Sequence, residues 1–136
     1  MSDDNVEIVR RVMDAERRRD LAAIFALYDE DVEWDVSHAG ATVAGQIGTL
    51  RGHDGVRRWM RTWYEAFEDV IYDVEELIDA GEHVMLVITQ RGRGRASGAE
   101  VSVRMYGAWT VRDGKVVRVA WFLDRAEALE AVGLTE

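Results

Sequence analysis

The chain has 136 residues, with 17 Lys and Arg against 26 Asp and Glu and a formal net charge of -9. That length fits one domain, residues 1–136, able to bury about two-thirds of its unfolded surface, and the charge excludes nucleic acid or an anionic membrane as the main partner. Cysteine and proline are absent, which removes disulfide and thiolate chemistry and matches a reducing, cytoplasmic setting.

The first residues, MSDDNVEIVRR, lack the apolar run of a signal peptide. No apolar stretch approaches the roughly 20 residues of a membrane span. The compositional signal is five tryptophans. Each carries a large apolar area and one N–H that needs a partner.

Residues 4–18 place Val6, Val9, Val12 or Met13, and Glu16 at helical spacing, with Asp3 or Asp4 as N-cap. Asp20 caps a short second helix with Leu21, Ile24, Phe25 and Tyr28 on its apolar face. Val32-Glu33-Trp34-Asp35-Val36 alternates as a strand does, with Val32, Trp34 and Val36 on one face and Glu33 and Asp35 on the other. Residues 37–52 read as loop. A third helix starts near His53 and Asp54, with Val56, Trp59, Met60, Trp63, Tyr64 and Phe67 on one stripe. Period two then predicts strands over 70–79 and 83–91.

Residues 100–124 hold two alternating apolar runs around Asp113-Gly114, the strongest short-range hairpin signal. A two-residue type I′ turn pairs Tyr106 with Trp121 on one face and Met105 with Phe122 on the other, with Trp109 over Arg118. Both faces are then apolar. The expected inner face holds Tyr106, Val119 and Trp121. The expected outer face, with Met105, Trp109 and Phe122, is a patch of the kind that marks an interface, and it predicts a sheet-to-sheet homodimer. Asp124 caps a last helix, RAEALEAV, stopped by Gly133. Helices followed by an antiparallel meander give an α+β fold, a curved sheet wrapped around helices with an internal apolar pocket.

In this order, FALYDEDVEWDVS, RGHDGVRRWMRTW and VRDGKVVRVAWFLDRAEALEAVGL resemble the NTF2-like superfamily, and within it the SnoaL-like branch related to ketosteroid isomerases and polyketide cyclases. The resemblance implies a cone-shaped fold and a cofactor-free isomerase or cyclase in which a carboxylate at the end of the first strand moves a proton. Asp35 falls at that place. In the family a protonated acid on the penultimate strand donates a hydrogen bond to the enolate; counting back from Gly114-Lys115 puts Tyr106 at that place, and its phenol can donate such a bond. The family's first-helix tyrosine is replaced here by Val12.

These expectations name Asp35 and Tyr106 as catalytic candidates, and Trp34, Trp59, Trp63, Trp121 and Arg104 as contacts for a flat apolar molecule. Arg104 also reads as the ion-pair partner of Asp35 or Glu100. The three histidines lack spaced acidic partners, so no metal site and no cofactor is expected. Arg91, Arg93 and Arg95 read as a solvated loop rather than an RNA-binding segment. Two readings stay open: a small enzyme using Asp35 for proton transfer, and a non-catalytic ligand-binding or dimerisation module.

Overall fold

A computed structural model describes residues 2–39 and 48–134. The elements run α1 (Ser2–Arg17), α2 (Leu21–Leu27), β1 (Tyr28–Asp35), β2 (Thr49–Arg51), α3 (Gly52–Ala66), β3 (Phe67–Ala80), β4 (His83–Gly94), β5 (Glu100–Arg112), β6 (Lys115–Phe122) and α4 (Arg125–Ala131). The loop expected over 37–52 contains β2, and its middle, 40–47, lies outside the described residues.

The sheet order is β2-β1-β6-β5-β4-β3. All neighbours are antiparallel except β1 and β6, so the sheet is mixed rather than a pure meander. The reason lies in the chain path: α3 and the long β3–β6 meander separate β1 from β6, so no tight turn forces them to run in opposite directions. The Asp20 carboxylate accepts from the Ala23 N–H and the Asp124 carboxylate from the Ala126 N–H, which starts α2 and α4 where the sequence indicates. α3 starts one residue earlier, at Gly52, with Arg51 as N-cap and no side-chain cap. His53 Nε2 instead meets the Tyr28 carbonyl at 3.0 Å.

The β5–β6 turn has Asp113 and Gly114 both at positive φ, 52° and 75°, as a type I′ turn requires. The register expected from that turn lasts two pairs, Arg112 with Lys115 and Val111 with Val116. A bulge at Val117 then shifts it, so Thr110 pairs with Arg118, Trp109 with Val119, Gly107 with Trp121 and Tyr106 with Phe122. One extra residue on one strand sends its following side chains to the opposite face.

Two cores result. The larger joins α1, α2 and α3 to the inner sheet face through Val9, Val12, Ile24, Val56, Leu86, Met105, Trp109, Val119 and Trp121. The smaller lies on the other face, where Met85, Val87, Ala108, Ala120 and Phe122 pack against Ala128, Leu129 and Val132 of the terminal helical segment. This corrects the expected outer face. Met105 and Trp109 are buried in the main core, and Phe122 is buried in the second core. The chain's own α4 covers the second apolar face, so these three residues form no exposed patch for a second copy.

Candidate functional site

The inner core is not filled. Between α1, α3 and the sheet lies a cavity of about 40 Å³. Since about 10–15 Å³ holds one water, the space suits a few waters. Val12, Met13 and Glu16 face it from α1, Trp59, Met60 and Trp63 from α3, and Tyr28, Trp34, Tyr72, Ile88, Gln90, Met105, Trp109 and Trp121 from the strands. Among the described residues, no Lys, Arg or His lines it. The wall is a net of aromatic contacts. Trp34 meets Trp109 and Trp121 edge-on, with ring centres 6.4 and 6.0 Å away. Trp59 stacks on Trp63 at 6.2 Å.

Rigid rings explain why the space persists: flat indoles cannot bend into a gap as aliphatic chains do. Gly107 makes the crossing of rings possible. A Cβ there would stand 2.6 Å from Trp109 Nε1 and 2.9 Å from Trp121 Cζ3.

The polar part of the wall centres on Glu16. The Tyr64 hydroxyl donates to Glu16 Oε2 at 3.1 Å and lies 3.0 Å from the Tyr72 hydroxyl. Tyr64 has spent its proton on Glu16, so Tyr72 donates to Tyr64. The Arg19 guanidinium lies over the Tyr64 ring at 4.7 Å and the Tyr72 ring at 5.7 Å. Burial pushes the Glu16 carboxyl above its ordinary value, and the Tyr64 hydroxyl and Arg19 only partly oppose this. Burial and then the charge of Glu16 push Tyr64 up to about 12. The same causes hold Tyr28 and Tyr72 well above the usual phenol range.

Four further polar atoms of the wall, Nε1 of Trp34, Trp63 and Trp109 and Oε1 of Gln90, are buried without a hydrogen-bond partner among the described residues. Buried polar groups are rarely left so. Here three donors and one acceptor belong to residues lining one cavity.

Of the expected site residues, Trp34, Trp59, Trp63 and Trp121 stand on this wall. Asp35 does not. It alternates with Trp34 and so lies on the opposite sheet face, where its side chain is 7% exposed. Its Oδ1 accepts from the Ser37 N–H at 2.9 Å and the Ser37 hydroxyl at 2.6 Å, and its Oδ2 accepts from Arg118 Nη2 at 2.9 Å. His38 Nε2 lies 3.9 Å from the same carboxylate, and its ring stacks on Phe122. Burial raises the Asp35 carboxyl, but the Ser37 bonds, Arg118 and His38 together hold it below its ordinary value.

Tyr106 is on that face too, packed against the second core, because the bulge at Val117 reverses the expected facing of β5 relative to β6. Arg104 is exposed and pairs with Glu75 at 2.8 Å, not with Asp35 or Glu100. The structure therefore brings Asp35 and Tyr106 to neither the cavity nor each other's hydrogen bonds. Arg91, Arg93 and Arg95 each pair with acids, Asp73, Asp69 or Glu100, and Glu68. Among the described residues, no acidic or histidine cluster could hold a metal, and no helix is long and apolar enough to cross a membrane.

Glu16, Tyr64, Tyr72 and Gln90 were not singled out from the sequence as site residues. The available signal was Glu16 itself, an acid on the apolar stripe of the first helix.

The solved structures share the fold along nearly the whole chain. An NTF2-like protein of unknown function from Burkholderia pseudomallei is 25% identical, with a TM-score of 0.79, over 96% of this chain and 98% of that one. A protein with a ketosteroid isomerase-like fold from Catenulispora acidiphila, in complex with trimethylamine, is 20% identical with a TM-score of 0.72, covering 94% and 93%. A candidate SnoaL-like polyketide cyclase from Mesorhizobium loti is 21% identical with a TM-score of 0.68, covering 85% and 96%. No curated protein sequence matches the chain. The sequence profile of the SnoaL-like domain matches residues 9–119, and with four helices and a curved six-stranded sheet among the described residues, the chain belongs to the SnoaL-like domain family of the NTF2-like fold.

Proposed function

We propose that this chain is a pocket protein that binds a small, flat, largely apolar molecule in the cavity between α1, α3 and the inner sheet face. One observation carries the reading: an aromatic-walled cavity whose lining includes three buried indole N–H groups with no partner among the described residues. An apolar wall with a few convergent polar groups is the general character of a small-molecule site. The space as it stands is smaller than a benzene ring, so a ring-sized ligand requires the wall at Trp59 and Trp63, its less buried part, to open.

A second reading, a cofactor-independent isomerase or cyclase, is favoured by the carboxyl of Glu16 on the same wall. Asp35 offers less support for it, being held by Ser37 and Arg118 on the other face.

The test is a titration with benzene and indene, followed by near-ultraviolet circular dichroism and thermal unfolding. Saturable change in the tryptophan bands with a rise in Tm is the expected result, since a ligand binding only the native state stabilises it. No saturable change up to the solubility limit would sink the proposal.

A further inference from the structure

We propose that Glu16 determines which charge the cavity accepts, admitting neutral ring compounds that can donate a hydrogen bond and rejecting anions. The proposal rests on the binding reading above and adds a specificity residue and a ligand class to it. Among the described residues, Glu16 is the one acid on the wall, and none of them brings a basic side chain to it. Its Oε2 is already engaged by Tyr64, and a carboxylate has further acceptor positions for a ligand hydroxyl. The buried N–H groups of Trp34, Trp63 and Trp109 supply donors for the oxygen of such a ligand. A phenol offers both halves, a proton to give and an oxygen to receive. An anionic head on the same ring meets the Glu16 charge in surroundings of low polarity, where repulsion is several times stronger than in water.

The groups facing Glu16 leave it as the titrating one. Tyr64 comes from α3, Tyr72 from β3 and Tyr28 from β1, and all three are held above the ordinary phenol value. Arg19, just beyond α1, lies over the Tyr64 and Tyr72 rings. Burial keeps the Glu16 carboxyl itself high, so rejection of anions weakens as pH falls and Glu16 takes up a proton.

The experiment compares toluene, phenol and benzenesulfonate, the last anionic at every pH used, by tryptophan fluorescence titration of the full chain. The wild type is expected to bind phenol more tightly than toluene and benzenesulfonate about tenfold or more weakly than phenol, with sulfonate binding improving on acidification. Glu16→Gln keeps an acceptor for Tyr64. It is expected to erase most of the phenol–sulfonate gap and all of its pH dependence. Tyr64→Phe removes the bond that holds the Glu16 carboxyl down. It should keep the selectivity while moving the pH at which sulfonate binding improves upward, a change that a purely structural Glu16 would not produce.

Toluene binding with the same phenol–sulfonate ratio in wild type and Glu16→Gln overturns this proposal and leaves the cavity reading standing. Failure of toluene and phenol alike to bind overturns both.

Discussion

The two faces of the β5–β6 hairpin both carry apolar side chains and meet their neighbours in opposite ways. On the inner face Trp109, Trp121 and Met105 meet Trp34 and the α3 tryptophans, and large flat rings leave a cavity. On the outer face Ala108 and Ala120 meet Ala128 and Leu129, and small side chains let α4 come down onto the strands. Residue size sets the outcome more than hydrophobicity does. Rigid rings around a fixed frame keep an enclosed space open, whereas alanines let a neighbouring helix pack directly onto the strands. A cavity and a structural seam can therefore sit back to back on two strands.

The largest expected break in this contrast is on the inner face. Trp109 is 1% exposed and holds contacts to Tyr28, Trp34 and Trp121. Trp109→Ala should destabilise the fold by about 3–5 kcal/mol, as the deletion of a large buried ring does, measured by urea unfolding. A loss below about 1 kcal/mol would mean that the ring lies outside the core, as the unshifted hairpin register places it.

The next effect belongs to the polar edge of the outer face. Asp35→Asn leaves Arg118 without its charged partner and weakens the two Ser37 bonds, at a cost of about 1–3 kcal/mol at neutral pH. The native Asp35 carboxyl titrates below its unfolded value of about 3.9. Its stabilising contribution is therefore complete above that unfolded value and is lost as pH falls through the lower native one. The gap between wild type and Asp35→Asn should close on acidification, and a gap that widens instead would contradict the ion pair.

The smallest effect tests the seam. Asp124→Ala removes the bond to the Ala126 N–H that starts α4 and should cost about 1 kcal/mol. Faster amide exchange over 125–131, with β1 and the inner strands unchanged, is the sharper readout.

The fold was largely legible because its signals are local. Asp20, Asp124 and Asp113-Gly114 act within a few residues of their own position, and each does what its chemistry indicates. The site was legible only in part. The bulge at Val117 answers to packing across the whole sheet, and no residue near it marks it in sequence, so the facing of Tyr106, Met105 and Trp109 was expected the wrong way round. Asp35 teaches something different. The alternation of Val32-Glu33-Trp34-Asp35-Val36 already separates Trp34 from Asp35 by face, and the role implied by family resemblance runs against it. The structure follows the alternation. Glu16 was visible as an acid on an apolar stripe, but its meaning depends on Tyr64 and Tyr72, 48 residues and more away in the chain.

All five tryptophans belong to one connected set, running from Trp63 through Trp59 and Trp34 to Trp109 and Trp121, with neighbouring ring centres 6.0 to 6.4 Å apart. At such separations the electronic transitions of the indoles couple, and excitation absorbed by any ring passes to the others before it is emitted. The cavity wall is thus a single chromophore in optical terms. Light absorbed anywhere in the set samples the same enclosed space, and a guest touching one ring alters the emission of all five.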